Sequence, residues 1–357
     1  MLGIRTARPR RSRGCLWLWF LGAATAASAA SLAAGPVEFE LVLAAVTAAV
    51  IVAGNWWHRP AARRGWELVA GAQALVTAAL VARVSVLLVT HRPAVYPTVI
   101  DIPYLASYLV FAAGLALFVR PRTGRSPWEG VLDAGLVTLG LAAVSWLLAF
   151  DPLLDFTGTP PLVVVTALAY PSMGLLLLAM LTWLVFTTGL RTRSLMLLAA
   201  GFAVLLAADS VNSYLVAHGG NANGNFVTLF GWDLSYALLG AAALHPSMAQ
   251  TVERGPVQAT VISPSRVVVY LCLAVTGPAV TIASVLAGHR GTADLLPPLA
   301  ITAGIAVLMK VQLAWIARLA SDRAVALDRQ AHKGRYLAKA RHDHTGDRLR
   351  KIILWHG

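Results

Sequence analysis

The chain has 357 residues, 58% of them hydrophobic and 13% charged, with a net charge of +13 and a mean hydropathy of +0.69. That balance excludes an ordinary soluble domain. It also argues against a nucleic-acid binder, because the basic residues sit in short clusters between apolar runs and in the C-terminal segment, without interleaved base-stacking aromatics. The two cysteines, Cys15 and Cys272, both lie in apolar segments, so neither a disulfide framework nor a cysteine metal site is expected.

A hydrocarbon core of ~30 Å takes ~20 apolar residues per helical span. Runs of that kind predict helices at 15–34, 37–56, 66–89, 101–119, 128–150, 161–186, 194–217, 226–244, 267–287 and 294–316. The predicted fold is all-α: a polytopic transmembrane bundle of about ten spans over residues 15–316. A basic N-terminus (1–14) precedes it, and a short helical tail (317–357) follows.

Lysine and arginine give the orientation, since they accumulate in cytoplasmic segments. With the N-terminus inside, the inner segments hold Arg5, Arg8, Arg10, Arg11 and Arg13, then Arg59, Arg63 and Arg64, then Arg120, Arg122 and Arg125, then Arg191 and Arg193, then Arg254 and Arg266. The outer loops hold Arg92 and Arg290. A multi-pass membrane protein is expected, with both termini cytoplasmic. The basic start and the run Ala26-Ala27-Ser28-Ala29-Ala30-Ser31 also describe a cleaved signal peptide; cleavage would leave one span fewer and the same C-terminal side.

Ionisable groups inside hydrocarbon are costly and ask for a reason. Arg83 in the third span, Asp209 in the seventh and Asp233 in the eighth lie at similar depth in the outer half, and Asp101, Tyr104 and Tyr108 enter the fourth span from the same side. By helical spacing Asp209 shares a face with Asn212 and Ser213, and Asp233 with Tyr236. Two readings stay open. The residues line a pocket for a small polar or cationic ligand, with carboxylates for charge and tyrosines as an aromatic wall. Alternatively, Arg83 pairs with one carboxylate and the rest are packing hydrogen bonds between helices. Lys310 and Glu67 lie near inner helix ends and are expected to snorkel; Tyr170-Pro171 is expected to kink the sixth span.

From about Trp57 to Met248 the order of motifs resembles the multi-pass N-terminal region of actinobacterial-type signalling proteins, whose cytoplasmic ends are often GGDEF or GGDEF-EAL domains. The resemblance rests on His58-Arg59-Pro60, Asp101-Ile102-Pro103-Tyr104-Leu105 with Tyr108, Asp133-Ala134 with Ser145-Trp146, and Ala169-Tyr170-Pro171. It continues through Ala208-Asp209 with Tyr214, Trp232 with Ser235-Tyr236, and Ala243-Leu244-His245-Pro246-Ser247-Met248. In such proteins the Tyr-Pro segment commonly continues to an Asp, whereas here Pro171 is followed by Ser172-Met173-Gly174.

Residues 317–357 carry ten Lys/Arg and four Asp. Leu319, Ala326, Leu327, Ala331, Leu337 and Ala338 recur at loosely heptad spacing, which points to an inward helix pairing with a second copy as a homodimer. The stretch Leu337-Ala-Lys-Ala-Arg-His-Asp-His-Thr-Gly-Asp-Arg-Leu-Arg-Lys-Ile-Ile-Leu354 resembles the phosphoacceptor helix of sensor histidine kinases, H-D-x-x-G-x-x-L-x-x-I. The resemblance makes His342 the phosphoacceptor and Asp343 its acid/base neighbour, and an adjacent carboxylate does orient and activate an imidazole. With a one-residue gap the same stretch reads as the start of a GGDEF domain.

The sequence thus predicts the membrane-embedded input module of a bacterial signal-transduction receptor in a two-component system. The helix stub is histidine-kinase-like, and two readings stay open: a truncated product, or a subunit that works with a separate kinase or response regulator. No G-x-x-x-x-G-K-[ST], G-G-D-E-F, H-E-x-x-H or G-x-S-x-G occurs, so this chain alone is expected not to transfer phosphate or make cyclic di-GMP, and no cofactor or metal is expected. The alternatives are the membrane region of a diguanylate cyclase or phosphodiesterase, a small-solute transporter, and a structural membrane protein.

Overall fold

The computed structural model describes residues 15–31, 36–91, 98–119, 127–146, 161–188, 192–217, 225–250, 264–286 and 295–315, with short pieces up to residue 329. The chain divides into two compact units, 1–306 and 307–357. In the first, the helices are α1 (Leu16–Ser31), α2 (Pro36–His58), α3 (Arg63–Thr90), α4 (Asp101–Phe118), α5 (Pro127–Ser145), α6 (Pro161–Thr188), α7 (Arg193–Ala217), α8 (Phe226–Leu244) and α9 (Pro264–Leu286). A 3-10 turn, Pro246–Gln250, follows α8, and α10 (Leu295–Trp315) begins in this unit. Each helix overlaps one of the apolar runs read from the sequence. Asp133 of α5 has no described side chain, and the arginine clusters at 5–13 and 120–125 lie outside the described residues, as do Arg92, Arg191, Arg254 and Arg290.

Seven of these helices are long and apolar enough to cross a membrane. The exterior agrees, because large apolar side chains face outward where a soluble protein would put charges: Trp19, Trp56 and Val89 are 77%, 67% and 81% exposed. No aqueous surface gains from such exposure, whereas lipid chains do. The chain is a helical membrane protein.

Neighbour relations close a ring in the order α2, α3, α4, α6, α7, α8 and back to α2. α1 packs on the outside of α8 and α2, while α5 packs on α6 and carries α9. α8 is the structural centre: 61% of its apolar window is buried, against 17% to 44% for the other six long apolar helices. Small residues make this possible. A Cβ built on Gly54 of α2 would stand 2.3 Å from the Ala243 carbonyl oxygen of α8, and one on Gly240 of α8 would stand 2.4 Å from the ring of Phe20 on α1. Lipid supplies no hydrophobic drive between helices, so close backbone approach and dispersion hold them together.

The helix starts follow local rules. Asn225 accepts from the amides of Val227 and Thr228 and caps α8, as an N-cap amide should. Before α4, Thr98 Oγ1 accepts the Ile100 amide and Asp101 Oδ2 accepts the Thr98 amide at 2.7 Å, a reciprocal turn of the capping-box kind. Pro171 lies inside α6, whose helix is continuous through it.

In the second unit the described residues are helical, with Val307, Val311 and Leu313 exposed. His342 and Asp343 lie outside the described residues.

Candidate polar site inside the ring

One end of the ring carries the start of α4, and the residues that meet there come from every ring helix. On α4 and α7, Tyr108 Oη donates to Asp209 Oδ2 at 2.6 Å; from α8, Trp232 Nε1 donates to Asp209 Oδ1 at 2.9 Å. From α6, Tyr170 Oη donates to Asp101 Oδ1 at 2.6 Å. The rings of Tyr108 and Tyr170 meet edge to face at 6.5 Å, and deeper down Phe111 and Phe202 do so at 5.1 Å, the arrangement favoured by ring quadrupoles. Both oxygens of Asp209 and both of Asp101 are therefore filled by neutral donors, which is how a carboxylate survives in a low dielectric.

The ion pair is a different one from that anticipated. Arg83 Nη2 bonds Glu40 Oε2 of α2 at 3.2 Å, with Glu40 nearly buried, and not Asp209, Asp233 or Asp101. Depth explains the choice: at 1.5 Å per residue, Arg83 is roughly 10 Å below the end of α3 and Glu40 roughly 6 Å below the start of the adjacent α2. Tyr104 lies within electrostatic reach of Glu40, Arg83 and Asp101, and Tyr236 within reach of Glu40, Tyr104, Asp209 and Asp233. Tyr236 is buried, its backbone oxygen accepting from Thr47 of α2 at 3.2 Å.

Asp233 faces α1, where Ser28 Oγ donates to its Oδ2 at 2.6 Å. Of the residues singled out in the sequence, Arg83, Asp101, Tyr104, Tyr108, Asp209, Asp233 and Tyr236 thus converge. The Asn212 side chain is half-buried and makes no hydrogen bond among the described residues. Glu40, Ser28, Trp232 and the Tyr170 hydroxyl are the participants that sequence reasoning missed. Glu40 resembles a helix-boundary acid, Ser28 hides in a small-residue run, and Tyr170 was noticed for the proline beside it.

The opposite end holds Arg59, Arg63, Arg64 and Arg193. Glu67 pairs there with Arg63 at 2.9 Å, both exposed, and a cleft of about 320 Å³ beside them is lined by Arg63, Arg64, Glu67 and Leu117. At the same end a clip joins three helices. The Ser247 amide donates to His245 Nδ1 at 3.1 Å, the Ser247 hydroxyl lies 2.8 Å from that nitrogen and accepts the Ser194 amide at 3.0 Å, and Ser194 Oγ donates to the Ala242 carbonyl at 2.7 Å. Trp17 of α1 covers the imidazole at 5.1 Å.

The amide bond requires Nδ1 without a proton, so the clip uses neutral His245. Burial, then the charges of Arg193 and His58, hold its pKa below the ordinary 6.5. The unfolded chain takes up the proton first on acidification, so this stabilisation is complete above about pH 6.5 and is lost as pH falls through that value toward the lower folded pKa. The thermal midpoint of the purified protein is expected to drop between pH 7.5 and 5.5, less steeply in His245→Asn, which keeps an acceptor but does not titrate; equal slopes would exonerate His245.

No protein-family model, characterised protein or solved structure matches the chain. The residues themselves must carry the functional argument.

Proposed function

We propose that the chain is the membrane-embedded input module of a bacterial signal-transduction receptor. It crosses the membrane about ten times with both termini in the cytoplasm, and its polar cluster lies in the outer half. The tail presents His342 as a phosphoacceptor, with Asp343 as its acid/base neighbour, to a separate kinase or response regulator, and the chain pairs with a second copy through that tail. The observation that carries this reading is the convergence of polar side chains from all six ring helices at one end. A ligand or charge change there acts on every ring helix at once, which is what an input site needs. A purely structural bundle has no need to concentrate its ionisable residues at one depth.

The test is phosphotransfer. Incubated with a kinase from the same cell and labelled ATP, the full chain is expected to acquire acid-labile phosphate, and His342→Gln is expected to lose it while remaining folded. Label retained in that variant, or never acquired by the wild type, would sink the assignment of the tail.

A further inference from the structure

We infer that Asp233 anchors a binding site for a small organic ammonium ion, at the seam between α1 and α8. This names a ligand class for the input site, and it rests on the sensory reading only for its biological use.

Asp233 has an unfilled acceptor. Asp233 is 3% exposed, and while Oδ2 holds the Ser28 hydroxyl, Oδ1 is buried with no partner among the described residues. A half-satisfied buried carboxylate is costly, because its charge has left water without full compensation. Its neighbours cannot relieve it. Among the described side chains in this half of the bundle, four acids, Glu40, Asp101, Asp209 and Asp233, are accompanied by one guanidinium, Arg83, which is engaged with Glu40. What is missing at Asp233 is positive charge.

The surroundings choose the kind of cation. A hard divalent ion collects roughly six to eight oxygens, but among the described residues no group of three or more His, Cys, Asp or Glu is placed to hold a metal. Tyr236 instead stands one helical turn from Asp233 on the same face of α8, with Tyr104 within its electrostatic reach. A carboxylate oxygen on a helix face that also carries a tyrosine suits an ammonium, which can donate to the oxygen and rest on a ring face. An anion would meet carboxylates, and a neutral alcohol would leave the charge unmatched. Ser28 lies within one turn of the end of α1 but is itself buried, so entry requires that end of α1 to part from α8.

The experiment uses the full chain in lipid nanodiscs. Thermal stability is read against methylammonium, ethanolammonium and 1,4-diammoniobutane chlorides at constant ionic strength, with sodium chloride, ethylene glycol and acetate as controls. At least one ammonium is expected to raise the midpoint saturably while the controls do not. Asp233→Asn is expected to weaken that ligand at least tenfold, and Ser28→Ala, which leaves the carboxylate in place, to retain it. No ammonium-specific shift in the wild type, or equal affinity in Asp233→Asn, overturns the proposal. If Asp233→Asn does not fold, the wild-type comparison of the ammonium salts with sodium chloride and ethylene glycol decides. Binding is read without any kinase, so its failure is separate from failure of phosphotransfer to His342.

Discussion

Gly54→Leu is expected to prevent the ring from closing. The site admits no side chain, because the first carbon added at Gly54 already meets the main-chain carbonyl of Ala243 at 2.3 Å, and a backbone carbonyl cannot rotate aside. Relief requires α2 to back away from α8, which also strains the Thr47 bond to the Tyr236 carbonyl. Overpacking a well-filled interior costs about 1–3 kcal/mol where side chains can yield; here the cost is expected at or above the top of that range. The measurement is the monodisperse yield and thermal midpoint of the purified variant beside Gly54→Ala, which should be intermediate. Gly240→Ala is the useful contrast, since its clash is with the Phe20 ring, and shortening that side chain in Phe20→Ala should restore part of the loss. A Gly54→Leu protein as stable as wild type would show that α2 and α8 do not approach as described.

The second large effect belongs to Asp209. Replacing it with alanine strands two donors at once, the Tyr108 hydroxyl and the Trp232 indole. Hydrogen bonds between membrane helices are worth about 0.6 kcal/mol on average and up to about 1.7, but bonds to an ionised acceptor are stronger and orphaned donors add their own penalty. Asp209→Ala is therefore expected to cost about 2–4 kcal/mol, and Tyr108→Phe about 1–3 kcal/mol, since it removes one donor but leaves Asp209 Oδ2 unfilled. In a double-mutant cycle the two are expected to couple by about 1 kcal/mol. Additive losses would mean that the Tyr108–Asp209 bond contributes nothing.

The helices were legible because each is a long apolar run, and the described elements follow them closely. Which helix touches which was not: nothing in the apolar pattern says that α2 and α8 adjoin while α5 stands outside the ring. That gap is why Glu40 was missed as the partner of Arg83, and why Gly54 and Gly240 passed for ordinary small residues. Tyr108, Asp209, Asp233 and Tyr236 stood out because an ionisable or phenolic group in hydrocarbon carries a cost that composition alone makes visible. Their partners Ser28, Trp232 and Tyr170 are unremarkable until the helices are set side by side.

The contact of α1 with α8 bears on how the protein is made. The Ser28–Asp233 pair spans 205 positions, and at roughly 5–20 residues per second the ribosome needs on the order of 10–40 s between the two. Through that interval α1 and α2 wait in the bilayer without their central neighbour. The serine on α1, exposed without its partner, must be sheltered by lipid headgroups or by the insertion machinery, whereas Glu40 of α2 waits only for Arg83, 43 positions on. The last ring helix to emerge is the one that locks the first.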